Sequence, residues 1–215
     1  GAGLLGKACA RGDLAVDAVD LRAYASNRHH KVDDRVFGGG AGMLLACQPL
    51  FSCVEDLRKR QGGRVVLLSA YGTPFRQDMA RALAADDALI LLCGRYEGID
   101  QRAIDVLVDH EISIGPYVLM GGELPALVVL EALARMIPGV IGNPESVETD
   151  SHYEESRMGW PQFTQPRLFR GLGVPSVLRG GHHAEIEAWR DAERKTPGEG
   201  RVIPWTDELP GGSNE

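Results

Sequence analysis

A short turn holds the densest group of reactive side chains in this sequence. The apolar run 89–93 stops abruptly and is followed by Gly94-Arg95-Tyr96-Glu97-Gly98. Loops that a rigid sheet places at strand ends are common positions for binding and catalysis. We therefore predict a ligand-binding turn. Two simpler interpretations stay open: the glycines serve only the turn, and Arg95 with Glu97 forms a surface ion pair of little energetic value.

Two further loops follow predicted strands in the same way. They read Ser69-Ala70-Tyr71-Gly72 and SIGPYVLMGG (113–122). Open α/β sheets bind ligands at the carboxyl ends of their strands, and glycines let the backbone approach a ligand closely. The sequence has no GxxxxGK[ST] motif, and no GxGxxG lies between a strand and a helix. The three loops favour a ligand held mainly by main-chain groups, such as an adenosine-like group.

The elements that must position these loops can be predicted from periodicity. Alternating or continuous apolar runs predict strands at 14–21, 64–69, 88–93 and 110–115. Helical patterns are found at 48–61, 76–86, 123–137 and about 182–195. Strands that alternate with helices indicate an α/β fold with a mainly parallel sheet. Between 138 and 181 the periodicity fails, which predicts a long linker that partly orders itself, and 196–215 is predicted to be a tail.

Composition limits the class of protein. The chain has 215 residues, 44% of them hydrophobic, and lacks the apolar run of about 18 residues that would span a bilayer. Four cysteines without CxxC spacing, two of them in apolar runs, predict reduced thiols in the core of a cytoplasmic protein.

Charge narrows the possible partners. The net charge of −7 argues against a general nucleic-acid binder. However, 156–184 contains no acidic residue and interleaves arginines with aromatic residues, which could contact phosphates and stack on unpaired bases. The arginines and aromatic residues are Arg157, Arg167, Arg170, Arg179, Trp160, Phe163 and Phe169. A loop folded onto a partner surface is an equal alternative.

Several motifs together resemble one known family. They are VDDRVFGGGAGM (32–43), CGRYEGID (93–100), SIGPYVLMGGELPA (113–126), RMIPGVIGN (135–143) and TDSHYEE (149–155). In this order they resemble the bacterial tRNA (guanine-N1)-methyltransferases of the TrmD family, in the SPOUT class. The resemblance covers about 3–190. It implies an α/β fold whose mainly parallel sheet contains a deep trefoil knot, an exception to the rule that chains do not thread, and a short helical C-terminal extension.

The resemblance also implies an activity and its partners. We expect an obligate homodimer that transfers a methyl group from S-adenosylmethionine to tRNA, at the guanosine just 3′ of the anticodon. The expected domains are a knotted cofactor-binding domain (1–142), a linker (143–165) and a truncated tRNA-binding helical region with a tail (166–215). Whether Mg²⁺ assists stays open. We predict no zinc site, because His29-His30 and His182-His183 match no zinc-ligand spacing.

Matching the family motifs position by position assigns the expected site residues. The cofactor-binding residues would be Gly94, Tyr96, Ile114, Gly115, Tyr117, Val118, Leu119, Gly121 and Gly122. The substrate-binding residues would be Asp33, Gly42, Arg95, Glu97, Ser151 and His183. The glycine-rich stretch at 38–42 could instead be a flexible connector beside a solvated pair of aspartates.

The expected chemistry needs a base and a cation. Guanine N1 carries a proton and becomes nucleophilic only as that proton leaves, when negative charge moves to O6. Asp150 matches the family's base, and Arg135 matches the residue proposed to stabilise O6. Both have ordinary alternatives: Asp150 could cap a helix, and Arg135 could pair with Glu131 one helical turn earlier.

The chain departs from the family pattern in four ways. The family has a strand and most of a helix before the GAGLLGKA stretch, so we expect that the first strand is missing here. The first loop has Ala70-Tyr71 where Ser-Pro is usual, Pro116 replaces an Asp and so removes an amide donor, and the C-terminal region ends early. These departures keep two rivals open: a degenerate knotted paralogue that binds RNA or cofactor without turnover, and a SPOUT enzyme with another RNA substrate.

Overall fold

The computed structural model describes residues 3–142, 150–153 and 158–195. The chain divides into two compact units, Gly1–Val147 and Glu148–Glu215, and each is described by itself. The predicted tail at 196–215, the linker residues 143–149 and 154–157, and Arg157 of the basic stretch lie outside the described residues.

The first unit is a mixed α/β structure. Its strands are β1 (Asp33–Arg35), β2 (Met43–Leu45), β3 (Arg64–Pro74), β4 (Leu89–Cys93) and β5 (His110–Ser113). Its helices are α1 (Gly3–Arg11), α2 (Cys47–Gln61), α3 (Gln77–Ala84), α4 (Gln101–Leu107) and α5 (Glu123–Ala134). Strands β4, β3 and β5 form a parallel sheet in that order, with β3 in the centre. The predicted α/β class and parallel sheet are confirmed.

Strand β3 begins with a continuous apolar run because helices pack on both faces of the sheet at this strand. Val65 and Leu67 belong to a core that includes buried residues of α2 and α4. Val66 and Leu68 belong to a second core that includes residues of α3 and α5. A strand buried on both sides cannot use polar residues on alternate positions. The two cores fix the sheet and therefore fix the positions of the loops at its carboxyl edge.

Strand β3 contains a bulge that the sequence did not predict. Leu68 and Thr73 both lie opposite Ile112 of β5, so residues 69–72 are extra in the β3 strand. We call these residues the β3 bulge. An added Cβ on Gly72 would lie 2.4 Å from the backbone C and N of Ile112, so a side chain does not fit there. Bulges often redirect a strand next to a functional site.

A hairpin lies beside the sheet. Strands β1 and β2 pair antiparallel, from Asp33 opposite Leu45 to Arg35 opposite Met43. The connection between them, residues 36–42, has positive φ at Gly38, Gly39, Gly40 and Gly42, which explains its glycine content. This stretch is therefore a defined hairpin connection. Strand β2 of the hairpin is hydrogen-bonded to the turn that follows β4. The Leu45 N–H donates to the Gly98 carbonyl at 3.0 Å, and the Glu97 N–H donates to the Met43 carbonyl at 3.0 Å.

The strand predicted at 14–21 is wrong. Residues 14–20 form no regular element, and a 3-10 helix at Leu21–Tyr24 follows, with its first turn capped by Asp20. The alternating pattern is present, but Val16 is 57% exposed and Val19 is 38% exposed, so the apolar positions do not face a core. Helices α1 and α4 were not predicted. The sequence does contain features that indicate helix α4: Asp100 is a suitable N-terminal cap, and Ala103 and Leu107 are four residues apart and both buried.

The second unit is small and largely irregular where it is described. It contains the strands β6 (Leu168–Phe169) and β7 (Leu172–Gly173), a 3-10 helix at Ser176–Arg179 and helix α6 (His183–Ala192). The Trp160 ring lies against the guanidinium groups of Arg190 and Arg194, each 4.9 Å from the ring centroid. These contacts hold Trp160 against α6 and against the residues that directly follow it. Among all described residues, the structure has no helix that is long and apolar enough to cross a membrane.

Candidate functional site

The three predicted loops converge on one cavity at the carboxyl edge of the sheet. Its volume is about 530 Å³, within the range of small-molecule sites. The β3 bulge contributes Ser69, Ala70 and Tyr71. The turn after β4 (residues 94–98) and the loop after β5 (residues 114–122, hereafter the third loop) form most of the remaining wall. All nine residues expected to bind the cofactor line this cavity, together with Arg95 and Glu97.

The turn and the third loop meet backbone to backbone. The Gly122 N–H donates to the Gly94 carbonyl at 2.9 Å. An added Cβ on Gly122 would lie 2.7 Å from Cys93 Cα and 2.9 Å from Gly94 N, so only glycine fits. Gly98 requires glycine for a different reason, its φ of 126°. At Gly94 an added Cβ would meet only Ile99 Cγ1 at 3.9 Å, so packing inside the chain does not explain that glycine.

Tyr96 has a strained backbone and a fixed hydroxyl. Its φ is 60°, in the left-handed region that a non-glycine residue rarely adopts, and such strain clusters at ligand sites. A hydrogen bond with Asp33 raises the pKa of the Tyr96 phenol, since that bond and the aspartate charge both disfavour the phenolate. Asp33 of β1 is therefore joined to a cavity residue.

The hairpin contacts the turn at a second position. An added Cβ on Gly42 would lie 2.3 Å from Glu97 Cγ, so the Glu97 side chain occupies the space beside this glycine. Gly42 also has a φ of 85°. The two substrate-binding positions expected on the hairpin, Asp33 and Gly42, thus both contact the turn 94–98.

Arg95 forms an ion pair across the cavity wall, but not with Glu97. Its Nε lies 2.6 Å from Oε1 of Glu123, the first residue of α5. The Arg95–Glu97 pair considered from the sequence is therefore not the one that forms. Sequence reasoning missed Glu123, since the pairing depends on the approach of two loops 28 residues apart. The only local signal is an acidic residue in the first turn of a helix, where the helix dipole favours it.

The third loop is closed by its own contacts. The Tyr117 hydroxyl donates to the Ile114 carbonyl at 3.3 Å, and an added Cβ on Gly115 would lie 2.4 Å from Tyr117 Cε1. The Tyr117 N–H donates to the Gly115 carbonyl at 2.9 Å and so closes a tight turn around Pro116. The missing amide of Pro116 therefore leaves the turn intact. Val118, at 88% exposed, lies at the open side of the loop.

The cysteines give no sign of nucleophilic chemistry. All four thiols are free, Cys53 is buried, and Cys9 is exposed rather than in the core. Burial, followed by the nearby Glu123 charge, raises the pKa of Cys93 to about 11, so this thiol is protonated at neutral pH. Within the described part of the chain, no group of three His, Cys, Asp or Glu side chains is arranged to hold a metal ion.

The remaining expected residues are divided between the two units. Arg135 is the C-terminal cap of α5 in the first unit. Asp150, Ser151 and His183 belong to the second unit. The Asp150 carbonyl accepts from the Tyr153 N–H at 3.3 Å in a turn, the Ser151 hydroxyl accepts from the Gly159 N–H at 2.9 Å, and His183 begins α6.

A parallel sheet whose carboxyl-end loops enclose one cavity is typical of α/β enzymes that bind a nucleotide-like ligand. The comparison with known proteins is more specific. The sequence model of the family described as "tRNA (Guanine-1)-methyltransferase TrmD" matches residues 1–201. The chain belongs to this family of enzymes.

Individual relatives agree with the family assignment. A protein of Desulforamulus reducens named tRNA (guanine-N(1)-)-methyltransferase is 49% identical over 180 residues, covering 82% of this chain and 70% of the relative. Relatives with the same name come from Alkaliphilus oremlandii, 50% identical over 82% of this chain and 74% of the relative, and from Finegoldia magna, 45% identical over 89% and 82%.

Proposed function

We propose that this protein transfers a methyl group from S-adenosylmethionine to N1 of the guanosine immediately 3′ of the anticodon in tRNA. One observation carries the proposal: the nine positions that match the family's cofactor residues line a single cavity of about 530 Å³. The membership in the tRNA (guanine-1)-methyltransferase family supplies the reaction type. The free cysteines agree with activity in the cytoplasm.

The volume and the lining residues of the cavity support an adenosyl cofactor. The turn and the third loop form most of its wall, and the Gly94 position leaves the backbone open to a ligand. Ile114, Val118 and Leu119 add an apolar surface for a flat ring. Bound there, S-adenosylmethionine would supply an electrophilic methyl group.

Asp150 and Arg135 would prepare the nucleophile. The Asp150 carboxylate removes the N1 proton, and a positioned general base contributes about 10²–10⁴-fold. The Arg135 guanidinium stabilises the charge that moves to guanine O6, which is most effective where water is excluded. Once N1 has lost its proton, its lone pair would be available to accept the methyl group, and the bond from the methyl carbon to sulfur would break. We infer that Asp150 of one subunit serves the cavity of the other.

The substrate side of the site would be formed by the turn and the hairpin together. Arg95 and Glu97 line the cavity, and Asp33 and Gly42 contact the turn. Ser151, His183 and the basic, aromatic stretch of the second unit would bind tRNA. In that stretch Arg170 stacks on the 58% exposed Phe169 ring at 5.5 Å, a surface suited to an unpaired base.

A homodimer with a knotted cofactor domain would complete the site. Leu124, Leu127 and Val128 are 63%, 53% and 49% exposed on α5, directly beside the cavity loops. Apolar side chains at this spacing form one helix face, which supports a second copy of the chain as its cover. The proposed knot rests on the membership in the TrmD family.

The test is methyl transfer from labelled S-adenosylmethionine to a tRNA transcript whose nucleotide 3′ of the anticodon is guanosine. We expect incorporation of close to one methyl group per tRNA. Calorimetry with S-adenosylhomocysteine separates binding from chemistry. Cofactor binding without transfer would reject the proposal in favour of a binding protein that has lost its chemistry.

A further inference from the structure

The ion pair between Arg95 and Glu123 connects two walls of the cavity. Arg95 belongs to the turn after β4, and Glu123 directly follows the third loop as the first residue of α5. The backbone bond from Gly122 N–H to the Gly94 carbonyl, 2.9 Å long, lies one residue away from each partner. The ion pair and the backbone bond therefore form one clip that holds the turn against the third loop.

The glycine before the clip makes room for the carboxylate. An added Cβ on Gly121 would lie 2.4 Å from Glu123 Oε2 and 3.5 Å from Arg95 Nε. The Glu123 side chain thus folds back over Gly121 to reach Arg95. A side chain at position 121 would displace the carboxylate, so Gly121 serves the ion pair as well as the loop.

The geometry of the pair determines which part of Arg95 remains available to a ligand. Glu123 Oε1 contacts Nε at 2.6 Å. A guanidinium has five donors in a rigid plane, so a carboxylate that holds Nε fixes the direction of the two terminal nitrogens. Those terminal nitrogens can donate side by side to oxygen acceptors. Arg95 lines the cavity, and the fixed plane would present these donors to a bound nucleotide.

Stability does not explain this ion pair. The side chains of Arg95 and Glu123 are 58% and 48% exposed, and exposed pairs contribute little to folding. An arginine that is held in place before binding loses less rotational freedom when its ligand arrives. The pair therefore matters most when tRNA covers the site and excludes water.

We propose that Glu123 is a positioning residue, which orients Arg95 so that its terminal nitrogens bind acceptor oxygens of the target nucleotide. This inference rests on the proposed function, because it assigns Arg95 to tRNA rather than to the cofactor. Glu123 acts only through Arg95 and touches neither reactant.

A double-mutant cycle with steady-state methyl transfer tests the proposal. The variants are Glu123→Gln, Arg95→Gln and the two combined. Glu55→Gln is the matched control, because it neutralises an exposed carboxylate on α2, away from the cavity wall. We expect Glu123→Gln to lower kcat/KM for tRNA by about 10- to 100-fold, mainly through KM, as misplacement of a binding group typically does. In the Arg95→Gln background the Glu123→Gln change should have no further effect.

Two readouts exclude a merely structural role. The thermal midpoint and the affinity for S-adenosylhomocysteine should stay at wild-type values in Glu123→Gln, and Glu123→Asp should recover part of the tRNA affinity. Additive effects of the two substitutions, or an equal loss of affinity for S-adenosylhomocysteine, would overturn the inference. So would normal kinetics in Glu123→Gln while the wild type methylates tRNA. A wild type without methyl transfer would overturn the proposed function itself.

Discussion

Asp150 is the single residue on which the proposed chemistry depends. Guanine N1 cannot attack a methyl group while it holds its proton, and we propose that the Asp150 carboxylate removes this proton. The motif TDSHYEE around Asp150 comes from sequence, and the structure adds a local turn, closed by the Tyr153 N–H on the Asp150 carbonyl.

Replacement of Asp150 separates chemistry from binding. Asp150→Asn keeps the shape of the side chain and removes the base, so we expect the methyl-transfer rate to fall by about 10²–10⁴-fold. Affinity for S-adenosylhomocysteine, measured by calorimetry, should stay within about twofold of wild type, since its expected site lies on other residues. A normal rate in Asp150→Asn would remove this residue from the mechanism.

Gly122 tests whether the close approach of the two loops builds the cavity. In Gly122→Ala the new Cβ would lie 2.7 Å from Cys93 Cα, and backbone atoms cannot move aside as a flexible side chain can. We expect a loss of stability of about 1–3 kcal/mol, measured by urea unfolding, and weaker binding of S-adenosylhomocysteine.

The control for this substitution is Gly142→Ala, because an added Cβ at Gly142 meets no atom of the described residues within 4 Å. It should bind S-adenosylhomocysteine like the wild type. Equal affinities in Gly122→Ala and Gly142→Ala would contradict the loop geometry described for the cavity.

At the level of single residues, the sequence predicted where the binding loops lie, but it did not predict which side chains of these loops contact each other. Glycines and charges at strand ends predicted the turn around Arg95, and that turn lines the cavity. The partner of Arg95 could not be predicted, because Glu123 is near it only after the sheet has formed. Local sequence suggested Glu97 instead, which packs against Gly42.

At the level of secondary-structure elements, an apolar sequence pattern predicted a strand correctly only where the apolar side chains are buried. The runs that became β3 and β4 are covered on both faces, and they were predicted correctly. The alternating stretch 14–21 has the period of a strand but no core to face, so the prediction there is wrong. The β3 bulge depends on register with β5, and no pattern within β3 alone contains that information.

The pH dependence of protein stability can test the role of Asp100 at the start of helix α4. Asp100 accepts hydrogen bonds from the Arg102 side chain and the Arg102 N–H. The hydrogen bond from the Arg102 side chain is the main cause that holds the pKa of Asp100 well below its usual range. A depressed folded-state pKa stabilises the fold above the unfolded value of about 3.9, and this stabilisation is lost as the pH falls further.

The Asp100→Asn variant should reveal this linkage. Asparagine still caps a helix, so the substitution removes mainly the charge. We expect a loss of about 1–2 kcal/mol at pH 7. That difference from wild type should shrink steadily below about pH 4. Urea midpoints at neutral and acidic pH measure it, and a difference that does not change with pH would contradict the role given to the Asp100 carboxylate.

At the scale of the whole molecule, the residues of the proposed mechanism are divided between the two units of the chain. The cavity lies in the first unit, whereas Asp150 lies in the second. The sequence predicted the parallel sheet, because this sheet follows from local apolar patterns. The sequence carries a weaker signal for the proposed dimer: helix α5 is apolar on nearly all sides, and its side chains Leu124, Leu127 and Val128 are exposed.

Dimerisation through α5 can be tested with one introduced charge. Leu127→Glu would place a carboxylate in the proposed interface, where an unpaired charge is costly. We expect sedimentation to show a wild-type dimer and a largely monomeric variant with little methyl transfer. Gln61→Glu adds the same charge to the exposed end of α2 and should remain a dimer. A monomeric, active wild type would contradict the shared site.

Mapping the methylated nucleoside by mass spectrometry shows which atom and which nucleotide the protein modifies. The wild-type protein, S-adenosylmethionine and a tRNA transcript with guanosine 3′ of the anticodon should yield 1-methylguanosine at that nucleotide and nowhere else. A transcript with adenosine at that nucleotide should stay unmodified. A methyl group on another atom or nucleotide, or equal modification of both transcripts, would contradict the account.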